Sequence, residues 1–297
     1  MDSFPFVSVV VATRNRAKLL HDCVEGLLQQ DSPADRYEVI VCDDGSTDET
    51  AGVVFDLKAL TKRSGLRYLR PERRGPNVAR NAGFRAARGD LFALVDDDAI
   101  APPSWLKAVV EGCLRHPDAE CFGGPARVRL EGKAPRFCDR DGLDVVQDLG
   151  DTERRVDDIH SCNMVIRRTG IEKAGLFNEV LSGAGDETEW VLRLTRAGGR
   201  IVYLPNAWVW HRRTARDLAL SSLLRSKFRR GREEVLFARV VGRHLNLGRE
   251  LGAIPRFLAH ALRRRCIGGL LSASMRLGRA WGLIRNRSPI GEGGPGR

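Results

Sequence analysis

Two hydrophobic rhythms divide the chain. "FVSVVVAT" (6–13) and "YEVIVCDD" (37–44) are nearly continuous, β-branched apolar runs, the pattern of strands covered on both faces. Between them Leu19, Leu20, Cys23, Val24, Leu27 and Leu28 recur at helical spacing, which predicts a helix over 17–29. "STDET" (46–50) supplies capping hydroxyls and first-turn acids for a second helix. "LRYLRP" (66–71) reads as a third strand and "DLFALVDDD" (90–98) as a fourth. The intervening "GPNVARNAGFRAARG" (75–89) reads as a helix with proline near its start and glycine at its end. Strands alternating with helices predict an α/β class, with a parallel sheet covered by helices.

Beyond residue 98 the rhythm loosens. Strands are predicted at 119–130, 160–168, 200–205 and 207–211, a glycine-ended helix at 186–199, and a polar, loop-rich stretch at 131–158. From 217 onward the chain reads as helical and arginine-rich, and the closing "GEGGPGR" has the composition of a disordered tail. The expected organisation is a domain over 1–211, a basic helical extension over 212–290 and a tail over 291–297.

Charge sharpens that division. The net charge of +11 arises entirely after residue 211: residues 212–297 hold 20 Lys/Arg against 5 Asp/Glu, whereas 1–211 hold 29 against 33. Within the extension Ile254, Phe257, Leu258, Ala261 and Leu262 keep helical spacing, with arginines on the other face. Two readings stand side by side: a basic amphipathic surface for anionic lipid, or a helical subdomain packed on the core or in a homodimer. Nucleic acid ranks third, because aromatic residues for base stacking are few and no known motif is present. The seven cysteines form no CxxC pair, so reduced thiols are expected. With no signal-peptide pattern and no apolar run of about 18 residues, the expected location is the cytoplasm, or the cytosolic face of a membrane.

The candidate chemistry is acidic. In parallel α/β sheets ligands bind outside the C-terminal ends of the strands. Here the second strand ends in Asp43 and Asp44 and the fourth in Asp96, Asp97 and Asp98, while Asp186, Glu187 and Glu189 open a later helix. Crowded carboxylates repel unless a cation or donor-rich ligand compensates. Oxygen-rich clusters suit Mg2+ or Mn2+. The structural alternative is a solvated turn with helix-capping aspartates.

Four segments in order, "VSVVVATRNRAKLLHDCVEGLLQQ", "EVIVCDDGSTDET", "GPNVARNAGFRAARGDLFALVDDD" and "DETEWVLRLTRAGGRIVYLPNAWVWH", resemble the family 2 nucleotide-sugar glycosyltransferases of GT-A fold over about residues 6–211. That resemblance implies a mixed, mainly parallel sheet. It also implies inverting, hexosyl-type transfer from a UDP-, GDP- or dTDP-sugar to a hydroxyl acceptor, with a divalent metal on the diphosphate. Cell-envelope polysaccharide or a lipid-linked glycan is the acceptor class that would explain the basic tail. By position, Asp44 matches the acid that meets the nucleotide base, with Asp43 beside it, and Ala12, Thr13 and Arg14 lie where the first strand meets the nucleoside. Arg80 and Asn81 match a donor-facing helix, with a structural role equally open. Asp96 and Asp98 match the ends of the DxD signature, Asp98 as metal ligand and Asp96 toward ribose or metal, with Asp97 between them. His211 is a candidate metal or diphosphate contact, and Asn163 a candidate donor-sugar contact.

The general base in that family is the aspartate of a Glu-Asp pair at a helix start. This chain has the reverse order, Asp186-Glu187. Glu187 falls at the base position and is one methylene longer, with Asp186 as the alternative. Trp105, Trp190, Trp208 and Trp210 read more as packing than as sugar platforms. Two rivals stay open. A nucleotidyltransferase would carry a glycine-rich phosphate loop that "VATRNRAK" lacks, and the reversed acid pair leaves room for a silent nucleotide-sugar-binding protein.

Overall fold

The structure, a computed structural model, describes residues 5–61, 65–133, 135 and 147–285. They fall into two compact units. The first comprises 5–131, 147–182 and 186–214; the second comprises 183–185 and 215–285, with 132, 133 and 135. The predicted tail 291–297 and Cys138 lie outside the described residues.

The first unit opens with β1 (Val7–Thr13), α1 (Ala17–Leu28), β2 (Tyr37–Asp43), α2 (Thr50–Thr61), β3 (Leu66–Leu69), α3 (Pro76–Ala86) and β4 (Leu91–Val95). A two-residue β5 (Ala99–Ile100), α4 (Trp105–Arg115), β6 (Cys121–Gly123), β7 (Ala126–Glu131) and β8 (Arg154–Arg155) follow. It closes with β9 (Asn163–Arg167), α5 (Arg168–Ala174), α6 (Asp186–Arg196), β10 (Ile201–Tyr203) and β11 (Val209–Thr214). The large sheet runs β3-β2-β1-β4-β9-β6-β10-β8, and a small one runs β5-β11-β7. β1 to β4 are mutually parallel, whereas β9 runs antiparallel to both β4 and β6.

The near-continuous apolar runs have a simple cause. Successive strand residues point to opposite faces, and both faces here are buried. Val7, Val9 and Val11 of β1, with Val39 and Val41 of β2, join the core beneath α1, α2 and α4. Val10, Ile40 and Cys42 join the core beneath α3 and α6. A Cβ at Gly83 would lie 2.4 Å from Val10 Cγ1 and 2.9 Å from Cys42 Sγ, so α3 packs on the sheet at glycine distance.

Two predicted strands need correction. The run 119–130 is two strands in different sheets, β6 and β7, broken at Gly124-Pro125; a Cβ at Gly124 would lie 1.9 Å from the Ala207 carbonyl oxygen. The fourth strand ends at Val95, not at residue 98. Asp96 begins a turn in which its carbonyl accepts the Ala99 N–H at 3.0 Å. The three aspartates therefore lie beyond the strand's C-terminal edge.

The second unit contains α7 (Ala215–Leu218), α8 (Leu220–Val240), α9 (Leu247–Arg264) and α10 (Ile267–Arg285). Glycines let its helices approach closely: a Cβ at Gly278 would meet the Phe228 carbonyl oxygen at 2.0 Å, and one at Gly269 the Phe257 oxygen at 2.4 Å. Buried Glu250 of α9 pairs with Arg276 at 2.8 Å and Arg279 at 3.5 Å, so part of the extension's arginine serves internal packing. Five cysteines of the first unit are free, but Cys266 is disulfide-bonded, which corrects the expectation of reduced thiols throughout.

Candidate active site

Register brings the acids together with their partners. β5 pairs with β11 so that His211 stands opposite Ala99, and the Arg212 N–H donates to the Asp98 carbonyl at 2.9 Å. His211 Nε2 thereby lies 3.4 Å from Asp98 Oδ1 and 4.0 Å from Asp96 Oδ2. β9 pairs with β4 so that Asn163 stands opposite Val95, which carries Cys162 up beside Asp96. Ligand atoms of Asp96, Cys162 and His211 all lie within 4.8 Å of one another.

Three adjacent carboxylates are tolerated because each has a different environment. Asp97 is locked inward: Oδ2 accepts from Thr13 Oγ1 at 2.7 Å and Oδ1 from Arg16 Nη1 at 2.8 Å. The same Arg16 nitrogen donates to Asp98 Oδ2 at 3.0 Å. Asp96 lies 3.8 Å from Arg80, and burial, then the Asp98 charge, pushes its carboxyl above the usual range. Burial pushes Asp97 up to about 6, with Arg16 opposing.

Two buried polar atoms stand out among the described residues. Asp98 Oδ1 and His211 Nδ1 have no hydrogen-bond partner within the protein, although their side chains are only 7% and 5% exposed. Buried polar atoms are normally satisfied. Together with the close approach of His211 Nε2 to Asp98 Oδ1, a carboxylate-imidazole donor set fits a divalent cation.

The second acidic group comes from the N-terminus of α6. Arg80 of α3 reaches across to Asp186 at 2.5 Å while staying 3.8 Å from Asp96, and so links both clusters. Asp186 is 2% exposed, whereas Glu187 is 21% exposed with His160 Nδ1 3.9 Å from its Oε1. Burial dominates at Asp186 and pushes its carboxyl up to about 8, against Arg80. Burial also opposes the Glu187 anion, but hydrogen bonding with Asp186 and the His160 ring outweighs it and holds that carboxyl down at about 2. Burial thus raises the Asp186 carboxyl, while its neighbours lower that of Glu187.

The nucleoside-side residues separate by role. Asp43 is fully buried, its oxygens accepting the Ser46 N–H at 2.7 Å and the Tyr68 hydroxyl at 2.6 Å; burial disfavours its anion, but these hydrogen bonds prevail and lower the pKa. Asp44 accepts the Gly75 N–H at 2.6 Å through Oδ1 and faces the exposed Arg14 at 3.7 Å through Oδ2. Between them and the next helix, Gly45 takes φ 77°, and the Arg74 guanidinium occupies the space a Cβ would need. Ala12 is half-buried at the end of β1.

Several expectations change with these contacts. Asp43 braces the turn, Asp97 is held by Thr13 and Arg16, and Thr13 spends its hydroxyl on that bond. Asn81 is committed to Phe177 and Glu179: it donates to the Phe177 carbonyl at 2.9 Å and to Glu179 at 3.0 Å, and accepts the Phe177 N–H at 3.0 Å. Asn163 accepts from Trp105 Nε1 at 3.0 Å and donates to the Pro125 and Ala207 carbonyls at 3.2 and 2.7 Å. Both amides are buried, and their polar atoms are engaged in these bonds. Trp190 is fully buried, and Trp208 and Trp210 pack edge to face at 5.2 Å.

Three residues of the site were not picked out from the sequence. Arg16 had a signal, since a triple aspartate requires a nearby cation, and "TRNR" offers two. Cys162 and His160 had none, because only the antiparallel insertion of β9 places them beside Asp96 and Glu187.

A family model described as Glycosyl transferase family 2 matches residues 8–173. Glycosyltransferase AglE of Haloferax volcanii is 26% identical over 237 residues, covering 78% of this chain and 74% of that protein. A dolichyl N-acetyl-alpha-D-glucosaminyl phosphate 3-beta-D-2,3-diacetamido-2,3-dideoxy-beta-D-glucuronosyltransferase of Methanococcus voltae is 30% identical over 106 residues, 36% of this chain and 33% of its own. The mannosyltransferase PcManGT from Pyrobaculum calidifontis, solved with GDP-Man and Mn2+, superposes with a TM-score of 0.61 at 19% identity, over 97% of this chain and 77% of that one. Matches to several other relatives span less than half of those proteins' lengths.

Proposed function

The chain belongs to glycosyl transferase family 2, and we propose that within it the protein is a metal-assisted, inverting enzyme that moves a sugar from a nucleoside-diphosphate donor to a hydroxyl of a glycan or lipid-linked acceptor. The observation that carries this reading is Asp98 Oδ1, buried and without a hydrogen-bond partner, with His211 Nε2 3.4 Å away beyond the end of a parallel strand. The Mn2+ and GDP-Man bound to PcManGT and the dolichyl-phosphate substrate in the Methanococcus relative's name are in keeping with the donor and acceptor classes.

The chain's own residues divide the work. Asp98 and His211 would hold the cation, with Asp96 at its edge; when bound, it neutralises charge growing on the diphosphate. Arg16 fixes the Asp98 carboxylate through Oδ2 and leaves Oδ1 for that ligand. Asp44 Oδ2, beside exposed Arg14, is the acceptor left for a nucleotide base. Glu187, ionised and partly exposed, takes the proton of the attacking hydroxyl. Asp186, bound to Arg80, keeps its neighbour's charge in place.

The whole protein with Mn2+ and UDP-, GDP- and dTDP-sugars is expected to release nucleoside diphosphate from one donor, faster with a glycan or a polyprenyl-phosphate-linked sugar as acceptor. Release of pyrophosphate instead would mark a nucleotidyltransferase, and binding without turnover across the panel would mark a silent binder. The pH profile tests the base. His160 favours the Glu187 anion, so removing it raises the Glu187 pKa. His160→Phe is expected to shift the acid limb of kcat upward by about half a pH unit; an unmoved limb removes His160 from this role.

A further inference from the structure

Apolar exposure is concentrated in the second unit. Of thirteen exposed large apolar side chains among the described residues, seven lie at 220–284. On α9 they form one row. Leu251 (44% exposed), Leu258 (41%) and Leu262 (81%) are spaced seven and four apart, which stacks them on one face of a helix. Arg249, Arg256 and Arg263, seven apart, form a second exposed row about a third of a turn or more away. The one acid of α9, Glu250, is buried against Arg276 and Arg279, so every exposed charge on the helix is positive. The inward face carries Glu250 and Ala261. What remains outward is leucine on one side and arginine on the other.

We propose that the outward face of α9 docks on an anionic phospholipid surface, its leucine row entering the acyl boundary and its arginine row reaching the phosphates. Two features select this occupant. An isologous contact with a second copy would set arginine rows of like charge near each other, whereas anionic headgroups complement them. The helix also has the interfacial form: no helix among the described residues is long and apolar enough to cross a bilayer, but α9 is strongly two-sided, and arginine stems can extend their charge toward the headgroups. The proposal does not rest on the transferase reading.

The test uses the whole purified protein and vesicle co-sedimentation. Binding to vesicles of phosphatidylcholine with about 30% phosphatidylglycerol is expected to exceed binding to phosphatidylcholine alone by about tenfold or more, and to weaken as salt rises. Arg256→Ser with Arg263→Ser should lower the partition coefficient about 25-fold, near fivefold per charge. Leu258→Ser with Leu262→Ser should lower it at least tenfold. All four positions are exposed, and an unchanged Tm verifies the fold. Equal binding to both vesicle types, or anionic binding untouched by either double variant, overturns the proposal. So does light scattering that shows the leucine variant dissociating a wild-type dimer while vesicle binding is unchanged, because the row would then be a subunit interface.

Discussion

Asp98→Asn is expected to lower kcat/KM by about a thousandfold while leaving the protein folded. A bound cation contributes several kcal/mol of charge stabilisation to a departing diphosphate, and about 4 kcal/mol corresponds to three orders of magnitude. The asparagine keeps the shape of the side chain and a carbonyl oxygen. It gives up the charge that balances the cation. Folding should survive, because Arg16 retains Asp97 at 2.8 Å and one like charge leaves a crowded cluster. Thermal melting separates the two effects. A ligand at a hundred times its Kd stabilises by about 2.7 kcal/mol, so Mn2+ should raise the wild-type Tm by several degrees and leave the variant's unchanged. Full activity in the variant, or an equal Mn2+ shift in both proteins, would remove Asp98 from the metal site.

What could be read in advance follows from whether a contact is local. β1 to β4 and α1 to α3 were legible because each strand is buried on both faces and each helix on one, which writes the burial pattern directly into the sequence. The triple aspartate was legible as a site because nothing local compensates three charges. Its internal order was not. The partners of Asp97 and Asp98 arrive from the end of β1 (Thr13) and the loop after it (Arg16), and that of Asp96 from a helix packed through Gly83. The bonds of the two asparagines were not legible for a similar reason. A buried amide that ties distant carbonyls together, as Asn163 ties Pro125 to Ala207, has the same composition signal as one that waits for a ligand. Gly124-Pro125 could have been read as a strand break, since proline removes a ladder donor, but the apolar run on either side masked it.

Glu187→Gln is expected to reduce kcat by about 10²- to 10⁴-fold, the usual worth of a positioned general base, with donor affinity unchanged. Asp186→Asn should behave differently. It keeps an amide oxygen for Arg80 but removes the charge beside it in a largely buried position, and leaving a buried charge uncompensated costs about 3–5 kcal/mol of stability. Its loss of turnover should therefore accompany a lower Tm, whereas Glu187→Gln should keep the wild-type Tm. The reversed order of the two acids then has a physical reading. Position 186 is nearly sealed and takes the short side chain that meets Arg80, while position 187 is open enough for the longer carboxylate beside His160. Glu187→Asp should retain part of the activity that Glu187→Gln loses, because the charge remains and only its reach shortens. If instead Asp186→Asn abolished turnover at wild-type Tm and Glu187→Gln left kcat intact, the proton would go to Asp186, and Arg80 would be the group that must release it.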